Sequence, residues 1–237
     1  MLWRYAAILL ISVLTGCAST GDWSSDVPTR QDPRASNAKR VNLKNQSVSD
    51  LYAPSSNLWI RIRDGFEMEP MNTPLEIEQV RWLSARPDYV QRSMARSSRY
   101  LFYIVQEVNA RKMPTEIALL PFVESAFVTH AKSSAKAMGL WQFMPATGKD
   151  FQLTQNVFRD ERRDVLQSTD AALDYLQRLH KQFGSWDLAL AAYNWGAGNV
   201  SKAQKRNLAA GLPTDYLSLK MPNETRNYVP KLMAYRQ

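Results

Sequence analysis

The hydrophobic residues of this chain recur at helical spacing over most of its length. Between residues 100 and 110, for example, apolar side chains lie three and four positions apart, which is typical of a helix with one buried face. The same reasoning predicts helices over 74–83, 100–110, 168–183 and 186–194, and a last one from about Asn223. No alternation of apolar and polar residues typical of a strand persists. The folded part of the protein is therefore predicted to be mainly α-helical.

One carboxylate interrupts the apolar run from Ala118 to Phe127, and it belongs to Glu124. An ionised carboxylate is costly in apolar surroundings, so Glu124 is either paired or holds a proton near neutral pH. A glutamate that holds a proton is a candidate general acid. The alternative is a surface glutamate at the end of an amphipathic helix, and this stretch alone does not separate the two.

Pro121 lies three residues before Glu124, in a helix that we expect to open at Met113. Proline removes a backbone donor and clashes with the preceding turn, so the pattern predicts a kink there. A kinked end would aim the carboxylate into a cleft. The alternative is that Pro121 simply ends the helix.

Two later segments combine small, aromatic and amide residues. In the first, Gly139 permits a positive φ or a close backbone approach, and the run from Trp141 to Met144 offers stacking faces and an amide that suit sugars. Such aromatic residues are, however, more often simply core. In the second, two glycines within three residues predict a tight turn directly after Tyr193 and Asn194.

The start of the chain resembles an export signal more than a part of the fold. Arg4 precedes an apolar stretch over 5–14 that is too short to span a bilayer as a helix. Small residues then lead into Cys17, the only cysteine, as in a bacterial lipoprotein signal. We expect cleavage after residue 16 and lipidation of Cys17, with Ala18 favouring the outer membrane. An ordinary signal peptide with an incidental cysteine is the alternative.

Charge and residue inventory narrow the chemistry. The formal net charge of +8 suits an acidic polymer, an anionic membrane or an anionic cell wall, but no run of Lys and Arg of the kind that binds nucleic acid is present. The only histidines, His130 and His180, are not at ligand spacing, which argues against a zinc site and a histidine triad. Of the types of catalysis considered, acid/base catalysis by Glu124, without metal or cofactor, is the one that remains.

Four motifs occur in a fixed order along the chain: Glu124-Ser125, Gly139-Leu-Trp-Gln-Phe-Met-Pro-Ala-Thr-Gly148, Ala192-Tyr-Asn-Trp-Gly196 and Glu224-Thr-Arg-Asn-Tyr-Val229. Together they resemble the motifs of lytic transglycosylases with the soluble-enzyme type of catalytic domain. The resemblance to the membrane-bound lytic murein transglycosylase D group also covers Asp64-Gly-Phe66, Ala118-Leu-Leu-Pro121 and Arg162-Arg-Asp164. It implies a goose-type, lysozyme-like helical fold and a peptidoglycan substrate.

The resemblance also implies a role for each matching residue. Glu124 would be the catalytic acid and then the base. The others would orient it (Ser125 and Tyr228), line the glycan cleft (Gln142 and Met144) or contact the N-acetylated sugar (Tyr193 and Asn194). The muramic 6-hydroxyl would then attack within the substrate and close a 1,6-anhydro ring, which accounts for one carboxylate where most glycosidases use two.

The expected organisation follows from these assignments. It comprises a signal peptide over 1–16, a disordered tether over 17–47, a helical extension over 48–110 packed on the catalytic domain, and the catalytic domain over 111–237. Members of the group often carry C-terminal lysin-motif repeats, and the sequence stops at Gln237 before any. Either this version works without them or the sequence is truncated.

Two alternative functions stay open. A muramidase that releases reducing ends would need a second carboxylate, for which Asp160, Glu161 and Asp164 are the nearest candidates in sequence. A non-catalytic glycan-binding lipoprotein would keep the fold without the chemistry. In each case we expect glycan strands of peptidoglycan as partner, anchorage through Cys17 at the periplasmic face of the outer membrane, no nucleic acid, and a monomer.

Overall fold

The computed structural model describes residues 57–237, in which helices are joined by loops. The first half contains α1 (Leu58–Asp64), α2 (Pro74–Ser84), α3 (Pro87–Ser97), α4 (Leu101–Ala110), a 3-10 helix (Thr115–Leu119), α5 (Leu120–Ser125) and α6 (Pro145–Asp150). The second half contains a 3-10 helix (Glu161–Arg163), α7 (Val165–Phe183), α8 (Trp186–Trp195), α9 (Ala197–Ala209), a 3-10 helix (Tyr216–Ser218), α10 (Asn223–Arg226) and α11 (Tyr228–Ala234).

The predicted helical class is confirmed for this part of the chain, where only isolated β-bridges interrupt the helices and loops. None of the helices within 57–237 is both long and apolar enough to cross a membrane. The predicted signal peptide, Cys17 and the tether lie outside the described residues, as does the predicted start of order near Val48.

The amphipathic pattern located α4, α7 and α8. The apolar stripe of α4 is buried, with Leu101, Ile104, Val105 and Val108 no more than 1% exposed. Helix α7 begins three residues before the predicted start because Asp164 caps it: its Oδ1 accepts the N–H of Gln167 at 3.0 Å.

Three local predictions differ from the structure. Helix α9 was not predicted, since its buried positions are Val200, Ala203 and Asn207, which form only a weak apolar stripe. From the sequence, Pro145 and Gly148 are expected to bracket a turn, but Pro145 instead opens the short helix α6. From the sequence, Pro230 is expected to kink the last helix or end it early. The helix is instead interrupted at Asn227, and Pro230 is accommodated in the first turn of α11, where no backbone donor is required.

Helix α11 lies centrally among the helices that matter for function. It packs against α2, α5 and α8, while α8 also packs against α7 and α9. The buried core continues from these helices to Phe122 and Trp141, which are fully enclosed. This packing brings the N-terminal end of α11 next to the C-terminal end of α5.

Candidate active site

Glu124 lies in the last turn of the six-residue helix α5. The predicted continuous helix with a kink at Pro121 is wrong: the chain forms a 3-10 helix up to Leu119, and Pro121 then stands in the first turn of α5. Proline is well accommodated there because the first N–H groups of a helix have no intrahelical partner. The proline thus starts the helix that carries Glu124.

The chain turns sharply as soon as α5 ends. Ala126 and Phe127 both have left-handed backbone conformations, with φ of 49° and 60°. Their N–H groups donate to Phe122 O at 3.3 Å and Pro121 O at 3.0 Å, and the bond from Ala126 closes the helix in an αL motif. The Phe127 ring packs edge-on to Phe122 with centroids 4.4 Å apart. This ring contact anchors the turn after Glu124 to the hydrophobic core.

The Tyr228 hydroxyl, on the first residue of α11, donates a hydrogen bond to Oε1 of Glu124. Glu124 is half-buried. Burial raises the pKa of Glu124 to about 7, although the Tyr228 hydrogen bond and the charge of Lys231 act to lower it and Glu224 acts to raise it. Near neutral pH, Glu124 therefore exchanges its proton readily.

Tyr228 is suited to remain a donor. Burial and the negative charge of Glu124 raise the pKa of Tyr228 well above its usual value, and the same two causes raise the pKa of Tyr193. Both hydroxyls stay protonated across the physiological range. The two tyrosines and Glu124 interact electrostatically, which places α5, α8 and α11 around one site.

Gly139 combines both features that its sequence position predicted. Its φ is +83°, and a Cβ there would come within 1.8 Å of the Arg162 carbonyl oxygen. The loop from Gly139 to Met144 can therefore lie against the backbone of the 3-10 helix at Arg162 only because residue 139 has no side chain. Ser125 fastens the same loop to α5, since its Oγ donates to Leu140 O at 2.9 Å.

The aromatic residues of this loop belong to the core and not to an open sugar platform. Trp141 is fully buried and donates from Nε1 to Thr169 Oγ1 at 2.9 Å, and Phe143 is buried as well. By contrast, Met144 is 43% exposed. Gln142 is half-buried with a left-handed φ of 49°, and its Nε2 donates to Gly139 O at 2.8 Å.

Tyr193 and Asn194 connect the remaining walls. Tyr193 donates its hydroxyl hydrogen to Trp141 O at 2.8 Å, which ties α8 to the Gly139 loop. Asn194 Oδ1 accepts from Thr225 Oγ1 at 2.8 Å, which ties α8 to α10. These bonds hold the end of α8, the Gly139 loop and α10 in one arrangement beside Glu124.

The predicted site residues thus differ in how they relate to Glu124. Tyr228 binds its carboxylate directly, whereas Ser125 binds backbone carbonyls and supports the loop. Sequence reasoning missed Lys231, although its spacing of three residues from Tyr228 puts both on one face of a helix. It also missed Arg96, whose Nε donates to the carbonyl oxygen of Ala126 at 2.7 Å, and no sequence pattern signals that contact. No three His, Cys, Asp or Glu side chains within 57–237 are grouped to hold a metal ion.

Comparison with known proteins finds a family similarity around this site. Residues 103–211 match the family described as the Transglycosylase SLT domain. Glu124, Gln142 and Tyr193 lie inside the SLT domain, whereas Tyr228 lies after the matched residues and Arg96 before them. The candidate site is therefore completed by segments that flank the matched stretch.

Similarity to curated proteins extends beyond residues 103–211. The chain is 42% identical to membrane-bound lytic murein transglycosylase D of Escherichia coli strain K12, over 96% of this chain and 51% of that protein. It is 42% identical to a putative tributyltin chloride resistance protein of Alteromonas sp. strain M-1, over 54% of this chain and 58% of that protein. The chain spans about half the length of the curated relatives it matches.

Among solved structures, a similar chain is the lytic transglycosylase Slt of Pseudomonas aeruginosa. It shares 30% identity over 56% of this chain and 22% of its own, with a TM-score of 0.42.

Proposed function

We propose that this protein is a peptidoglycan lytic transglycosylase that cleaves the β-1,4 bond between N-acetylmuramic acid and N-acetylglucosamine. The observation that carries the proposal is the carboxyl of Glu124, half-buried, held by Tyr228 and with its pKa raised to about 7. A group with that pKa can give and take a proton at neutral pH with similar ease. The 42% identity to a murein transglycosylase supports the same assignment.

In the first step, protonated Glu124 donates its proton to the bridging oxygen. The bond from that oxygen to the muramic C1 breaks, N-acetylglucosamine leaves with the new hydroxyl, and Glu124 becomes a carboxylate. The Tyr228 hydrogen bond stabilises this ionised form, since a donor to a carboxylate favours its charged state.

In the second step, the Glu124 carboxylate removes the proton of the muramic 6-hydroxyl. The freed oxygen bonds to C1 and closes the 1,6-anhydro ring, and Glu124 regains the proton that it gave away. Attack within the substrate needs no separately held water, because both reacting atoms are already in one sugar. A single residue with a pKa near 7 thus serves both steps.

The remaining predicted residues act on the substrate in this proposal. Tyr193 and Asn194 contact the N-acetylated sugar next to the scissile bond, and Gln142 and the exposed Met144 line the glycan cleft. The positions of these four residues support the roles proposed for them, because all four belong to the Gly139 loop or to the adjoining end of α8. Ser125 acts through the loop backbone and not on the carboxyl.

The candidates for a second carboxylate have structural partners, which favours a transglycosylase over a muramidase. Asp160 pairs with the Arg162 guanidinium at 2.7 Å. Glu161 is 5% exposed and accepts the Thr154 N–H at 2.6 Å. Asp164 caps α7 through Gln167. Each of these carboxylates is engaged in its own local contacts, so we do not propose any of them as the base that activates water opposite Glu124.

We propose the organisation and location suggested by the sequence. A signal peptide over 1–16 is removed, Cys17 is lipidated at the periplasmic face of the outer membrane, and residues 17–47 tether an extension (48–110) and a catalytic domain (111–237). Replacing Cys17 with serine should move the protein from the membrane to the soluble periplasmic fraction. Unchanged membrane fractionation of Cys17→Ser would rule out this anchor.

The decisive test of the activity compares the protein with its Glu124→Gln variant on purified peptidoglycan. Products are identified by mass, and the exposed residue of α2 in Glu78→Gln provides a control for loss of a carboxylate. We expect anhydro-muropeptides from the protein and the control and none from Glu124→Gln. Reducing ends would indicate a muramidase, and no products from any of the three would indicate a glycan-binding protein.

A further inference from the structure

Two cations hold the backbone on either side of Glu124. Lys231, on α11, donates from Nζ to the carbonyl oxygen of Val123 at 3.4 Å. Arg96, in the last turn of α3, donates from Nε to the carbonyl oxygen of Ala126 at 2.7 Å. One of these carbonyls directly precedes Glu124, and the other follows two residues later. Val123 lies in the last turn of α5 and Ala126 is its C-cap residue, and the carbonyls at this end of a helix lack intrahelical partners.

This turn needs external support. Helix α5 has only six residues, and two consecutive left-handed residues, Ala126 and Phe127, follow it directly. A left-handed conformation costs a residue with a side chain about 1–2 kcal/mol. Cations at the C-terminal end of a helix bind its last carbonyls and offset the negative end of its dipole. Without them, the backbone that carries Glu124 could relax away from its present position.

We propose that Arg96 and Lys231 are positioning residues for Glu124, fixing the backbone on both sides of it, and that Lys231 also stabilises its ionised form. The inference rests on the proposed function, in which Glu124 is the acid and base. Arg96 precedes the SLT match over 103–211 and Lys231 follows it. The segments that flank the SLT domain therefore contribute to the geometry of the reacting group.

Arg96 and Lys231 differ in whether their charge acts on the Glu124 carboxyl. The groups that act on its carboxyl are Tyr228 and Lys231 from α11 and Glu224 from α10, and Tyr193 from α8 responds to its charge. Lys231 is the cation of this set, and its charge lowers the pKa of Glu124. Arg96 holds the following turn from the other side. We therefore expect Lys231 to affect both geometry and protonation, and Arg96 to affect geometry.

The test uses four variants in the full chain and two matched controls. Lys231→Met and Arg96→Gln remove each cation, and Lys231→Arg and Arg96→Lys restore one. The controls are Lys205→Met and Arg92→Gln, which remove exposed cations on α9 and on the helix of Arg96 itself. The rate of product release from purified peptidoglycan is measured across pH, with thermal unfolding recorded for every variant.

Activity requires protonated Glu124, so it falls as pH rises through the pKa of that residue. Removing the positive charge in Lys231→Met raises this pKa, so the alkaline limb should move to higher pH and the maximal rate should fall about tenfold. Lys231→Arg should restore both. Arg96→Gln should lower the rate by a similar factor while its alkaline limb stays in place, and Arg96→Lys should recover part of the rate.

Wild-type rates and limbs in Lys231→Met and Arg96→Gln, with Glu124→Gln inactive, would overturn the inference and leave the proposed function intact. Full activity of Glu124→Gln would instead overturn the proposed function. The position of the alkaline limb does not depend on how much protein is folded. A Lys231→Met variant that merely unfolds, and whose folded fraction keeps the wild-type limb, would therefore also overturn the assigned role.

Discussion

Tyr228 and Glu124 lie 104 positions apart in the chain and share a hydrogen bond across the contact between α11 and α5. Burial alone would favour the neutral form of both groups. The shared hydrogen bond offsets part of that effect for Glu124 and leaves its pKa at about 7. The result is a carboxyl poised for proton transfer in both directions.

Replacing Tyr228 with phenylalanine should therefore change both the rate and the pH dependence. The carboxylate loses a donor, so the pKa of Glu124 rises above about 7 and the alkaline limb of activity moves to higher pH. A hydrogen bond to a charged group contributes about 1.5–3 kcal/mol, so we expect a loss of rate on the order of ten- to a hundredfold. Rates from peptidoglycan across pH measure both effects.

Tyr235→Phe is the matched control for that experiment. It removes a hydroxyl that lies just beyond α11 and contacts Tyr89 instead of Glu124. The control should retain its limb and most of its rate. A Tyr228→Phe enzyme indistinguishable from this control would show that the hydrogen bond to Glu124 is not used.

Glu124 should make the protein less stable as pH rises. Its pKa is raised from 4.5 to about 7 in the folded state, so the folded form binds the proton more tightly than the unfolded form. Stability then falls as pH rises between these two values and levels off above the higher one. Glu124→Gln lacks this loss and should be more stable than the wild type by about 3 kcal/mol at pH ~8, with little gain at pH ~4.

Urea unfolding of both proteins at the two pH values measures this difference, in which contributions from the other titrating groups cancel. Glu78→Gln, at an exposed position of α2, should show no such gain. Equal stabilities of the wild type and Glu124→Gln at the higher pH would mean that the folded structure does not penalise the Glu124 carboxylate.

Gly139→Ala should destabilise the protein strongly. The added methyl group would meet the Arg162 carbonyl oxygen at 1.8 Å, in addition to the strain of a φ of +83°. Gly184→Ala isolates the strain, because Gly184 has a φ of +70° with nothing within 4 Å of the added atom. We expect about 1 kcal/mol for Gly184→Ala and at least about 3 kcal/mol for Gly139→Ala in urea unfolding. Similar losses would contradict the close approach at Gly139.

Thr225→Val should weaken substrate binding more than it weakens folding. Thr225 is buried, and its hydroxyl donates to Asn194, which we propose to contact the N-acetylated sugar. Valine keeps the shape but removes the donor, so Asn194 can turn away; we expect about a tenfold weaker affinity for glycan fragments. Thr225→Ser keeps the hydroxyl and should bind normally. Equal binding by the two variants would argue against this role of Asn194.

The parts of the fold that follow from spacing and backbone freedom were predictable. The stripe of α4 is a regular run of large apolar residues, and Gly139 stands where a side chain cannot fit. Helix α9 escaped prediction because it buries Ala203 and Asn207, whose hydrophobic signal is weak. The role of Pro121 was predicted wrongly because a proline in the middle of an apolar run is compatible with both a helix kink and a helix start. Only the 3-10 helix that precedes it in the structure distinguishes the two.

The site was predictable where chemistry itself limits the choice. A lone carboxylate in an apolar run singled out Glu124, and motif resemblance added Tyr228. Trp141 was ambiguous because a tryptophan serves a core and a sugar platform equally well until its burial is known. Arg96 and Lys231 act through the carbonyls of other residues, and hydrogen bonds to a distant backbone leave no pattern in the sequence.

The central claim is that the substrate supplies its own nucleophile, and digestion of purified peptidoglycan in water enriched in heavy oxygen tests it most directly. The proposal predicts anhydro products whose mass is unchanged by the enrichment, since no water enters the new bond at C1. Incorporation of heavy oxygen at the newly formed ends would show that water attacks instead, and would contradict the account of Glu124 as the acid and base of an intramolecular ring closure.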